Sequence, residues 1–83
     1  MMGRKVYLDP RTGELLLRGG DYGQAHDGMW HMKPPGSNAI VVYPGHVEEL
    51  PGGTISVNFT IAASDGAGHT WTGHLVAGEW IQR

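Results

Sequence analysis

At 83 residues the chain is long enough for one domain, and a domain of that size buries only about 60–65% of its unfolded surface. It contains no cysteine, which excludes disulfides and thiolate metal sites and leaves packing, oligomerisation or a His/carboxylate metal site to support a thin core. A net charge of −2 with six scattered Lys and Arg argues against a nucleic-acid partner, and no apolar run approaches the roughly 18–20 residues of a membrane span.

The basic start Met1–Lys5 has no apolar run behind it and does not read as a signal peptide. With the lack of cysteine this implies a cytoplasmic protein. Val6–Leu8 and Glu14–Leu17 read as two strands around Asp9-Pro10-Arg11-Thr12-Gly13. Asp caps the turn, Pro presets φ and Gly accepts a left-handed conformation. Arg18–Asp27, with its Gly pairs, reads as a loop, and Tyr22 between Gly20 and Gly23 reads as its exposed aromatic.

Met29–Lys33 is rich in large residues and is stopped by Pro34-Pro35-Gly36. Ile40–Tyr43 is a continuous apolar run, the pattern of a strand covered on both faces, and Pro44-Gly45 ends it. His46–Leu50 reads as a loop with the character of one helical turn before Pro51-Gly52-Gly53. From Thr54 to Ala62 apolar residues alternate with Ser, Asn and Thr, the period of two that a strand requires. Ser64–Gly68 is a turn, His69–Val76 a strand, Ala77-Gly78 a tight turn in which Gly78 fits the left-handed position of a bulged hairpin loop, and Glu79–Gln82 a last strand.

These elements predict a single all-β domain over residues 1–83. It is expected to be a small antiparallel meander, sandwich or partly open barrel of six to seven short strands. The expected core includes Val57, Phe59, Trp71, Leu75 and Trp80. Exposed sheet edges would allow pairing with a second chain, so a homodimer is a natural outcome.

Chemistry is sparse. Of five histidines, His69, His74 and His31 are the candidate metal ligands, but strand parity sends His69 and His74 to opposite faces. His26-Asp27, and His46 with Glu48 or Glu49, are the candidate acid–base pairs, without a pocket to tune them. No serine sits in a nucleophile elbow, and no glycine motif precedes a helix to hold phosphate. Asn58-Phe59-Thr60 matches a glycosylation acceptor, and strand parity would instead put Asn58 and Thr60 on one polar face for cross-strand hydrogen bonds. Trp30, Trp71 and Trp80 with Tyr22 and Tyr43 offer either a core or a stacking surface for single-stranded nucleic acid.

Met29–Gly36, Gly53-Thr54-Ile55-Ser56, His69-Thr70-Trp71 and Ala77-Gly78-Glu79-Trp80 together resemble a group of small β-rich phage and prophage proteins over about Asp27–Gln82. The group carries Cys residues around its Pro-Gly turn; Lys33, Pro34 and Asn38 stand there instead, and Val57-Asn58 replaces its Pro-Ser. The resemblance implies a phage-type origin and the loss of any metal site those cysteines form.

The combined expectation is a non-enzymatic accessory protein of phage type, with no cofactor and no catalytic residue. It would act by binding another protein or itself, through Tyr22, His26 and Trp30. The alternatives are a His-based metal or small-ligand site in a β-barrel, and single-stranded nucleic-acid binding by an aromatic sheet face.

Overall fold

The computed structural model describes residues 1–83. The chain is all-β, with nine short strands: β1 Arg4–Lys5, β2 Asp21–Gln24, β3 Trp30–Met32, β4 Val41–Tyr43, β5 Glu48–Glu49, β6 Ile55–Ser56, β7 Ile61–Ser64, β8 Thr70–Val76 and β9 Glu79–Gln82. They form three sheets, β1-β2-β3-β4, β5-β6 and β7-β8-β9, none closed into a barrel. All ladders are antiparallel except β1–β2, which is parallel, so the architecture is not a pure meander. No helix is present to cross a membrane.

The C-terminal hairpin follows from alternation. Trp71, Gly73 and Leu75 of β8 are buried while Thr70, Thr72 and Val76 face out. Trp80 of β9 lies opposite Leu75, and its indole meets Trp71 edge-on at 5.4 Å. Gly73 is required by close approach: a Cβ there would strike the Ile81 carbonyl and come within 2.6 Å of the Trp71 ring. The connection is the tight two-residue turn expected at Ala77-Gly78, without a bulge, with Val76 opposite Glu79 and positive φ at both Ala77 (49°) and Gly78 (79°).

The predicted strand Thr54–Ala62 is interrupted. Its two halves, β6 and β7, both lie beside β8: the Val57 N–H donates to the Leu75 carbonyl, and β7 pairs with Thr70–Gly73. A bend at Asn58-Phe59 separates them. The inward alternation survives the break, with Ile55, Val57, Ile61 and Ala63 buried and Phe59 half-buried against Tyr43. Asn58 and Thr60 are exposed and make no side-chain hydrogen bond, so the expected cross-strand pairing does not form. His46–Leu50 is extended, not helical, and supplies β5 to pair with β6.

Three further expectations are corrected. The Asp9–Gly13 turn forms, with Asp9 N–H donating to Glu14 O and Gly13 N–H to Asp9 O, but Val6–Leu8 and Glu14–Leu17 build no ladder. The segment read as a loop, Arg18–Asp27, contains β2, a central strand. Ile40–Tyr43 is covered on one face only: Ile40 and Val42 are 45% and 47% exposed.

The first residues join the two larger sheets. Met1 O accepts the Trp80 N–H at 2.8 Å, Gly3 N–H donates to Gly78 O at 2.6 Å, and Arg4 N–H donates to Gly20 O at 3.1 Å. Gly3 passes between Trp80 and Tyr22, where a Cβ would lie 2.6 Å from the indole nitrogen and 2.9 Å from the phenol ring. The core beneath consists of Tyr22, Trp30, Met32, Ile55, Val57, Ile61, Trp71, Leu75 and Trp80.

Candidate binding cleft

Pairing fixes which face each residue of the β2–β3 hairpin uses. Tyr22 lies opposite Met32 and Gln24 opposite Trp30, while Gly23 lies opposite His31 and His31 opposite Val42. Tyr22, Trp30 and Met32 are buried, so their face is the inner one. Gly23, His31 and Val42 define the outer face.

The segment from Leu8 to Leu17 folds over part of that outer face. Leu15 sits on Gly23, where a Cβ would be only 2.8 Å from a Leu15 methyl. The tip of this arm meets the tip of the hairpin: Gly13 (φ 71°) packs against His26 so closely that a Cβ would lie 2.6 Å from its Nε2. The hairpin tip is fixed in turn. Ala25 N–H donates to Met29 O, Gly28 N–H to Ala25 O, and Met29 N–H to Asp27 Oδ1.

Between arm and sheet is an open cavity of about 470 Å³. Leu8, Leu15, Leu16 and Ala25 supply its apolar lining; His26, His31, Glu14 and Asp27 supply its polar groups. Neither imidazole is engaged in a hydrogen bond within the chain, and Leu16 is 64% exposed. An apolar lining with a few free donors and acceptors is the usual make-up of a ligand-binding concavity.

The predicted contact residues separate. His26 lies at this cleft and is exposed. Tyr22 is 1% exposed and Trp30 3% exposed, so both are core residues and neither presents a surface to a partner. Burial also pushes the Tyr22 phenol above its ordinary 10.0, opposed in part by the backbone of Ile55. Tyr22 is covered because β2 is a central strand, which its flanking glycines conceal in the sequence. The exposed tyrosine is Tyr7, at 71%. It lines an adjoining cavity of about 410 Å³ with Lys5, Leu8 and Gln24, and the Lys5 ammonium lies 5.2 Å from its ring centroid.

The metal candidates are likewise dispersed. His31 lines the cleft, His74 sits mid-β8 on the outward face, and His69 precedes β8 with its Nδ1 3.0 Å from Asp65 Oδ2. No three His, Asp or Glu side chains gather as a metal site. Asp65 is the organising group of its turn. Its carboxylate accepts the Ala67 and His69 N–H groups, and these bonds, with the His69 ring, hold its pKa below the ordinary 3.8.

Neither acid–base pair forms. Asp27 is committed to the Met29 amide rather than to His26. His46, Glu48, Ser56 and Asn58 share a cavity of about 270 Å³, but no hydrogen bond links them, and Ser56 Oγ accepts the Ala77 N–H at 2.7 Å. The three tryptophans are 3–5% exposed, so the stacking face they would supply to a single strand is inside the protein.

Sequence reasoning missed Leu8, Glu14, Leu15, Leu16 and Ala25. The signal was the Leu15-Leu16-Leu17 triplet, in which an extended backbone must expose one member. It also missed Asp21, a buried carboxylate that accepts from the Arg4 guanidinium at 3.0 Å and the Arg18 N–H at 2.9 Å, anchoring the parallel β1–β2 pair. The chain matches no family model, no curated protein and no solved structure.

Proposed function

We propose that this chain is a non-enzymatic binding domain that acts by contact with another polypeptide. Its docking surface is the cleft between the Leu8–Leu17 arm and the outer face of the β2–β3 hairpin. The observation that carries this reading is the combination of an apolar cavity of about 470 Å³ with two imidazoles that have no hydrogen-bond partner of their own. An apolar side chain of the partner fills the space over Leu8, Leu15 and Leu16, and His26 and His31 bond polar groups of its backbone.

Burying one Leu- or Phe-sized anchor contributes about 1.5–3 kcal/mol. Association costs at least about 4 kcal/mol in lost translational and rotational freedom. One anchor is therefore not enough, and the partner must also use the histidines and the adjoining Tyr7 surface.

The test is selection of a random-peptide display library on the wild-type domain, with counter-selection on Leu16→Asp and on His31→Ala. Leu16 is largely exposed, so its replacement leaves the core intact. Peptides with a large apolar anchor that bind the wild type and lose affinity for both variants support the assignment. Identical enrichment on all three proteins, or no enrichment on the wild type, refutes it.

A further inference from the structure

We propose that a second copy of this chain pairs with the free edge of β4. Pairing is antiparallel about a two-fold axis at Val41, and it joins two four-stranded sheets into one continuous sheet.

The direction of the β4 backbone groups follows from the ladder beside it. Lys33 N–H donates to Asp21 O and Ala25 N–H donates to Met29 O. Hydrogen-bonded and non-bonded pairs alternate in an antiparallel ladder, so the pair between them that exchanges bonds is Gly23 with His31. His31 thus spends its backbone groups on β2. Trp30 and Met32 turn theirs toward β4, bonding Tyr43 and Val41. Val42, between those two, points its N–H and C=O away from β3, and Ile40 does the same one step earlier. Neither appears in any backbone hydrogen bond outside the ladders. Among the strands, β4 approaches only β7 besides β3, with no ladder between them.

Ile40 and Val42 are also the residues of this run whose side chains are most exposed, at 45% and 47%. Natural edges are usually blunted by charge, lysine, proline or a bulge. Nothing of the kind lies between Ile40 and Tyr43, and no charged residue occurs from Pro34 to His46. Pro44, which has no N–H and in this register lies opposite the mate's Asn38, sets the limit at both ends. The open stretch is therefore Ile40–Val42.

A second copy fits this stretch group for group. With Val41 facing its own symmetry mate, Ile40 lies opposite the mate's Val42. The Ile40 N–H donates to the mate's Val42 O, and the mate's Val42 N–H donates to Ile40 O. The reciprocal pair repeats this, and every free donor and acceptor is matched. On the outer face each Ile40 packs beside the mate's Val42, a favourable β-branched cross-strand pair. No like charges oppose one another at the seam, and an isologous contact closes at two copies. This interface is separate from the arm cleft and does not depend on it.

The test is mass measurement by light scattering, over a concentration series up to that of NMR, on the wild type, Ile40→Lys and Val42→Lys. Amide exchange is read on the same wild-type samples. The wild type is expected to shift from the 9.0 kDa monomer to twice that mass. Protection at the Ile40 and Val42 amides should rise with concentration, and each lysine variant should weaken association at least about tenfold. A wild type that stays monomeric throughout, or a dimer that keeps its affinity in both lysine variants with unprotected Ile40 and Val42 amides, overturns the proposal. The amide readout needs no variant, so misfolding of either substitution does not spare it.

Discussion

Replacing Ala77 with Asn is expected to stabilise the protein. Ala77 is the one non-glycine residue with positive φ, at 49°, and it is followed by Gly78 at 79° in the two-residue turn between β8 and β9. Both residues of such a turn must be left-handed, and Asn-Gly is its preferred pair. An L-residue with a Cβ loses roughly 1–2 kcal/mol in this region, and Asn less because its side chain bonds locally. Ala77 is exposed, so the larger side chain meets no obstruction. The turn's anchors are backbone groups and survive: Ala77 N–H to Ser56 Oγ at 2.7 Å and Gly78 N–H to Ile55 O at 2.9 Å. The net gain is about 0.5–1 kcal/mol, which raises Tm by roughly 2–8 °C in a domain of this size. In a urea titration the midpoint rises with an unchanged slope. Ala77→Gly relieves the same strain but frees the unfolded chain, so it stays near the wild type. Ala77→Val, β-branched in a left-handed turn, falls below it. An Asn variant no more stable than the wild type, or a Val variant equal to it, would refute the reasoning.

The other expectations are more local. Gly73→Ala places a methyl on the Ile81 carbonyl and the Trp71 ring, so it costs at least about 1–3 kcal/mol in the same titration; an unchanged midpoint contradicts the close approach. Trp80→Phe removes the bond from the indole N–H to Gly20 O at 2.9 Å and part of the packing on Trp71. Gly20 O keeps its Arg4 N–H donor, so no buried acceptor is orphaned and the loss is about 2–3 kcal/mol. A loss as large as that of Trp80→Ala would show the hydrogen bond to be misjudged. For Asp65 the folded pKa lies below the unfolded 3.8, so its contribution is complete above that value and disappears as pH falls through the folded one. The stability difference between wild type and Asp65→Asn should therefore be present above about pH 5 and shrink as pH falls through the folded pKa; a difference independent of pH removes the carboxylate from the account. Tyr22 behaves in the opposite sense. Its folded pKa is raised, so its contribution is present below 10.0 and is lost as pH climbs to the folded value, which alkaline unfolding of Tyr22→Phe against wild type will show.

The C-terminal half was legible because its order is local. Ile55, Val57 and Trp71 each lie between polar neighbours, Ile61 and Leu75 continue the same period of two, and all five are buried. Phe59, in the same pattern, falls at the bend and is only half-covered. The N-terminal half was not legible because a parallel pairing decides it. Asp21-Tyr22-Gly23-Gln24 has the composition of a turn, yet it becomes a central strand when β1 lies alongside and Leu15 needs the space that Gly23 leaves. That one non-local contact reverses the reading of Tyr22 and hides Asp21. The cleft shares the difficulty: His26 was identified by its chemistry, but its partners Leu8, Leu15 and Leu16 reach it through the fold of the arm, which no periodicity encodes. Glu48-Glu49 became a strand through pairing with Ser56 and Ile55, although its own residues favour a helical turn.

The bond between Met1 O and the Trp80 N–H lays residue 1 beside residue 80, three residues short of residue 83. Residues 1–83 thus trace almost a ring. A brief peptide bridge would circularise it without bending any strand, and new ends could be opened at the exposed Gly66-Ala67-Gly68 tip. Such a permuted chain would keep the same sheets while β9 and the Met1–Gly3 segment bonded to its hairpin became neighbours in synthesis as well as in space.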